Sequence, residues 1–223
     1  MNRALLFKEY KKTKWFILGI ILAGIALHTY TFLKLGRSFR FAGMEHLWDV
    51  IINRDQFMFR DLKYFPLAAG VCLGVAQFVP EVIQKRIKLT LHLPLSERKT
   101  IMLMVGYGQL LLLGFFLLHI LCAVVFSSFH FPYEFILSFL QTVAPWYMAG
   151  LLAHSMIAMI CIEPTWKVRV FNILVMIGTI KMCYITDFPG AYGIVSCLLA
   201  IVVLYVLPFT FYSVYRFKIG EQD

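Results

Sequence analysis

The sequence predicts an all-α, polytopic membrane bundle, and three observations carry that prediction. Of 223 residues, 61% are hydrophobic and 15% are charged, far from the roughly 45–50% apolar and 25% charged content of a soluble domain. Mean hydropathy is +0.78. The apolar residues come in blocks of about 20, the length that crosses a hydrocarbon core of roughly 30 Å at 1.5 Å per helical residue, rather than in short alternating strands.

Six spans follow, at about 15–35, 64–83, 101–126, 133–160, 168–186 and 191–212. Ahead of the first, residues 1–14 place Leu6, Phe7 and Tyr10 on one helical face and leave Arg3, Lys8, Lys11, Lys12 and Lys14 as a basic remainder. That pattern predicts an N-terminal interfacial helix that turns into the first span. The span is retained, because its apolar run exceeds the roughly 7–15 residues of a signal-peptide core and no small-residue cleavage pattern closes it.

Between spans one and two, residues 36–63 are too long for a simple connection. Met44, Leu47, Trp48 and Ile51 fall at i, i+3, i+4 and i+7, which predicts a short amphipathic helix on the outer surface, either covering an exit route or capping the bundle. The connections from Ser127 to Pro132 and from Asp187 to Gly190 read as tight turns. In span four, Pro145 removes the usual donor to the carbonyl of Gln141, so Pro145 and Gly150 are expected to bend or loosen that helix. Val105-Gly106-Tyr107-Gly108 shares letters with a potassium selectivity filter, but Met104 replaces the threonine and the segment opens a continuous apolar helix; close helix contact through small residues is the expectation.

Orientation comes from the basic residues, which are retained on the cytoplasmic side. With the N-terminus inside, Arg3, Lys8, Lys11, Lys12, Lys14, Lys85, Arg86, Lys88, Arg98, Lys99, Lys167, Arg169, Arg216 and Lys218 are internal, 14 of the 21 Lys and Arg. Both termini are therefore expected in the cytoplasm, at the plasma (inner) membrane. The net charge of +9 follows from this asymmetry and from attraction to anionic lipid headgroups, so no nucleic acid is expected as a partner. Cys72, Cys122, Cys161, Cys183 and Cys197 stand singly and read as small buried hydrophobes, with neither a disulfide nor a metal implied.

Polar groups at depth are costly. His28, His119 and His154 lie within spans one, three and four, and interhelical hydrogen bonding is the expected role. His28 and His119, at similar depth, also fit a bis-histidine haem site, which would make the chain a haem-binding redox or haem-delivery protein. A scaffold subunit that only holds partners is a further alternative. Lys181, near the end of span five, is expected to snorkel to the surface. No acidic pair, H-E-x-x-H or G-x-S-x-G nominates a catalytic centre, so no enzyme activity is expected.

The charged island between spans two and three, residues 84–100, carries the functional reading. Ile87, Leu91 and Leu95 form an apolar edge, with Lys85, Arg86, Lys88 and His92 around it. Pro94 ends that helix, and Ser96 is placed to cap the next one, whose first turn holds Glu97. A short rigid helix of this kind suits the transmission of force from a docked soluble domain.

The order of basic N-terminal helix, span, long outer loop, and a second span ending in Pro80-Glu81, followed by Lys85-Arg86-Ile87-Lys88 and Leu91-His92-Leu93-Pro94-Leu95-Ser96-Glu97-Arg98-Lys99, resembles the permease subunits of type-2 ATP-binding-cassette (ABC) exporters. The likeness covers the topology, and its local match is confined to about residues 78–100. It implies that this inner loop is a cytoplasmic coupling helix docking on an ATPase subunit, with Glu81, Lys85, Arg86, Lys88, Leu91, His92, Pro94 and Leu95 as the coupling residues. The chain has no G-x-x-x-x-G-K-[ST] phosphate loop, so ATP and Mg belong to a separate partner chain and this chain holds no cofactor of its own. Six helices make half of the two-lobed pathway, which implies a second permease, identical or homologous. Asp187-Phe188-Pro189-Gly190 leaves little room for the outer half-helices that the family often carries between spans five and six.

Overall fold

The computed structural model describes residues 2–43, 49, 57–84, 86, 96–186, 188 and 190–219, and among them there is no strand. Among the described residues the helices follow in the order α1 (Asn2–Ala42), α2 (Phe65–Ile83), α3 (Glu97–Ser128), α4 (Tyr133–Ile162), α5 (Trp166–Met182) and α6 (Gly193–Ile219). A 3-10 turn, Arg60–Leu62, leads into α2. Among the described residues, four segments are long and apolar enough to cross a membrane: Asn2–Phe41, Arg60–Ile83, Arg98–Ser128 and Tyr133–Ile162. α5 has 17 residues, and in α6 the apolar stretch is Val195–Val206.

α1 departs from the expected interfacial helix followed by a turn. It is one unbroken helix of 41 residues. Neither proline nor glycine occurs before Gly19, and Ala4, Leu5, Leu6, Lys8, Glu9, Lys11 and Lys12 are all strong helix formers. The face that docks is also different: Leu5, Glu9 and Thr13 are buried at i, i+4, i+8, while Phe7 and Tyr10 are exposed.

α4 is the centre of the bundle. It packs against α2, α3, α5 and α6, and 78% of its most apolar stretch is buried, against 22% for α1 and 28% for α3. It runs through Pro145 without interruption. The α2–α4 contact is close because its facing positions are small. A Cβ on Gly70 would run into the backbone of Gly150, a Cβ on Gly150 into the carbonyl of Pro66, and Gly74 abuts Ile157. Such small-residue seams let helix backbones approach and gain dispersion contact where no hydrophobic drive exists between helices in lipid. In the Val105–Gly108 run, Gly108 makes the expected close approach, onto His154 and Gln77, whereas nothing lies near Gly106.

The end opposite the N-terminus is closed by aromatic rings. Phe59 and Leu62, in the segment before α2, are fully buried. Phe57 stacks on Phe139 with ring centroids 5.9 Å apart and meets Trp146 edge-on at 5.5 Å. This part of the 36–63 connection therefore caps the bundle; the Met44, Leu47, Trp48 and Ile51 set lies outside the described residues. Lys34 Nζ pairs with Asp61 Oδ2 at 2.7 Å, tying the far part of α1 to the same cap.

Ser96 is the residue that starts α3, as expected, but its hydroxyl makes no capping bond. Its carbonyl instead accepts the Thr100 amide at 3.0 Å. The cysteines correct another expectation. All five are free, yet Cys72, Cys122 and Cys197 lie on exposed helix surface and Cys183 alone is buried, with Cys161 between. A thiol is apolar enough to sit against lipid without a partner. Lys181 is exposed in the last turn of α5.

Candidate functional site

At the end of the bundle that carries the N-terminus, four helices contribute one connected polar cluster. α1 presents Glu9 and Thr13 on its docked face, with Lys8 and Lys12 flanking them at i, i+4. α2 presents Gln77 and Glu81, also at i, i+4, and both are fully buried. Lys8 Nζ lies 2.9 Å from Glu81 Oε1 and 3.0 Å from Oε2. Lys12 Nζ reaches Glu81 Oε1 at 3.0 Å and Glu9 Oε2 at 2.9 Å. Two lysines and two glutamates make a neutral quartet, the arrangement in which buried charges persist without a bare desolvation penalty.

Amides and a histidine extend the cluster inward. Gln77 Nε2 donates to Glu9 Oε2 at 2.9 Å and to the carbonyl of Met104 at 2.6 Å. The same side chain's Oε1 lies 3.0 Å from His154 Nε2, and Gln109 Nε2 lies 3.2 Å from His154 Nδ1. A glutamine nitrogen only donates, so Nδ1 accepts and Nε2–H donates to Gln77, which assigns a neutral ring. Gln109 Nε2 also lies 2.9 Å from the carbonyl of Leu151 and within hydrogen-bond distance of Ser155 Oγ, so its two hydrogens are shared among three acceptors. Thr13 Oγ1 is 3.3 Å from the Tyr107 hydroxyl. α1, α2, α3 and α4 are thus joined by hydrogen bonds at one level, and the start of α1 is fixed to the last turns of α2.

Of the residues expected to couple the chain to an ATPase, Glu81 is the centre of this cluster and Arg86 is exposed. Lys85, Lys88, Leu91, His92, Pro94 and Leu95 lie outside the described residues. The sequence reading missed Glu9, Gln77 and Gln109. A signal for Glu9 was available: Leu5, Glu9 and Thr13 share a helical stripe that the lysines on either side obscure.

A second polar group sits between α4 and α5. Glu163 is 1% exposed; its Oε1 accepts the Thr165 hydroxyl at 2.8 Å and faces Arg216 Nη1 of α6 at 3.3 Å. Arg169 Nη2 donates to the Glu163 carbonyl at 2.6 Å. These contacts pin the short connection to both following helices.

His28 and His119 do come together, but as a stack, with ring centroids 3.7 Å apart and planes tilted by 30°. His28 Nε2 bonds to the His119 carbonyl at 2.9 Å, and His119 Nδ1 to the Tyr147 hydroxyl. A porphyrin between two axial imidazoles needs them on opposite sides of its plane, and rings in mutual contact leave no such gap. His28 Nδ1 and His119 Nε2 have no hydrogen-bond partner, and no group of three or more metal-ligating side chains occurs among the described residues. The hydrogen bonds made are those of interhelical packing.

Comparison with known proteins finds no family model, no curated protein and no solved structure that matches this chain.

Proposed function

We propose that this chain is the membrane-spanning permease subunit of an ABC exporter, a six-span protein of the plasma (inner) membrane with both termini in the cytoplasm. Its own α5 and α6 supply the fifth and sixth spans. It works with a separate ABC ATPase subunit, which binds ATP and Mg, and with a second permease, and it moves a hydrophobic or amphipathic substrate by alternating access. The observation that carries this reading is the burial of Glu81 under Lys8 and Lys12. Glu81 is part of the Pro80-Glu81 element on which the family resemblance rests, and it lies just ahead of the 84–100 loop. A push received by that loop would reach α2 through the chain and α1 through the two lysines, so both helices would respond as one body.

The test is co-purification. An ATPase encoded beside this gene is expected to purify with the tagged permease, and the double substitution Leu91→Asp, Leu95→Asp is expected to abolish the association while leaving the amount of inserted permease unchanged. Retention of the ATPase by the double variant would reject the coupling assignment.

A further inference from the structure

α5 and α6 each pack on α4 and, among the described residues, hardly on one another. The gap between them is a cavity of about 390 Å³, within the roughly 300–1,000 Å³ range of ligand sites. Its apolar walls are Phe171 and Val175 of α5, Val202, Val206 and Phe209 of α6, and Met156 of α4. On α6 the lining runs from Val202 to Ser213, about 16 Å along the axis at 1.5 Å per residue. Such a slot accepts one extended hydrocarbon chain.

Polar side chains in the lining are of two kinds. Some are already engaged: Glu163 is ion-paired with Arg216 and accepts the Thr165 hydroxyl, and Thr179 donates to the carbonyls of Val175 and Met176. Asn172 is different. It is only 8% exposed and makes no hydrogen bond among the described residues, yet its carboxamide is not sealed off, and the slot is what it lines. Ser213, 2% exposed, stands in the same position. A carboxamide offers two N–H donors and an acceptor oxygen, and leaving them empty in an apolar wall costs free energy. The Glu163–Arg216 pair is neutral as a unit, so the slot supplies no counter-ion for a charged head group stripped of its water.

We propose that this slot binds an uncharged single-chain lipid of the monoacylglycerol class, with its acyl chain between α5 and α6 and its head at Asn172 and Ser213. The ester carbonyl accepts from the Asn172 amide, and the glycerol hydroxyls donate to Asn172 Oδ1 and Ser213 Oγ. An ionised head of the same chain length lacks this match and carries the larger desolvation cost, so the site selects for neutrality. The binding requires no ATPase and no residue of the α1–α2 cluster, and its outcome is separate from that of the transport proposal.

Native mass spectrometry of the delipidated full chain, held in a detergent with a broad sterol-like body, tests it by titration with lauroylglycerol, laurate and dodecyltrimethylammonium, which share one chain length. One lauroylglycerol per chain is expected, held about tenfold more tightly than either charged probe, the worth of one hydrogen bond. Asn172→Leu, close in volume, is expected to erase that preference, and Val206→Trp or Val175→Trp, which fill the slot from opposite walls, to remove the bound lipid. Equal binding of the three probes by the unaltered protein, or no saturable binding of lauroylglycerol, overturns the proposal and needs no variant to fold. So does an undiminished preference in a folded Asn172→Leu variant.

Discussion

Glu9 and Glu81 share Lys12, yet their removal has unequal consequences. Glu81 receives both Lys8 and Lys12, whereas Glu9 receives Lys12 and the Gln77 amide. Glu81→Gln leaves two lysines facing one carboxylate, and Lys12, with a side chain only 12% exposed, cannot retreat fully to water. Glu9→Gln leaves Lys12 still paired with Glu81. The expected cost is about 3 kcal/mol for Glu81→Gln, as for a buried charge pair broken from one side, and about 1 kcal/mol for Glu9→Gln, as for one hydrogen bond weakened. Thermal unfolding of the detergent-solubilised protein measures both, and equal destabilisation would mean that the quartet does not act through Glu81.

At the scale of helices, glycines make the sharpest prediction. Gly150 and Gly70 meet where backbone touches backbone, a clash that no rotamer can relieve, so Gly150→Ala should destabilise the bundle by at least about 1–3 kcal/mol. Gly178 has nothing within 4 Å of an added Cβ, so Gly178→Ala should be neutral or stabilising by up to about 1 kcal/mol from helix propensity. Unfolding temperatures of the two variants, compared side by side, check the seam. Long elements were legible in the sequence because their apolar runs are long: spans placed at 64–83 and 133–160 correspond to α2, Phe65–Ile83, and α4, Tyr133–Ile162. The spacing of Gly70 and Gly74 was also open to reading, but the partner helix was not, since nothing in one sequence says which surface meets a small-residue seam. The Gln77, Gln109 and His154 cluster was hidden for the same reason. Its side-chain bonds join residues 45 and 77 positions apart that carry no period, and lysines that read as orientation charges concealed the docked stripe of α1.

For the whole molecule, the pairings along α1 and α2 fix which ends lie together: Lys12 with Glu81 at one end, Lys34 with Asp61 at the other. Glu163 and Arg216 then place the α4–α5 connection beside the late part of α6. Under the proposed orientation, residues near the α4–α5 connection face the cytoplasm and those in the turn after α3 face outward. Replacement of the five cysteines by alanine gives a silent background, into which Ser128→Cys or Lys167→Cys is introduced; both positions are exposed. A membrane-impermeant maleimide is expected to label Ser128→Cys in intact cells and Lys167→Cys only after the membrane is opened. The reverse pattern would put the 84–100 loop on the wrong side for any cytoplasmic ATPase and end the transport proposal.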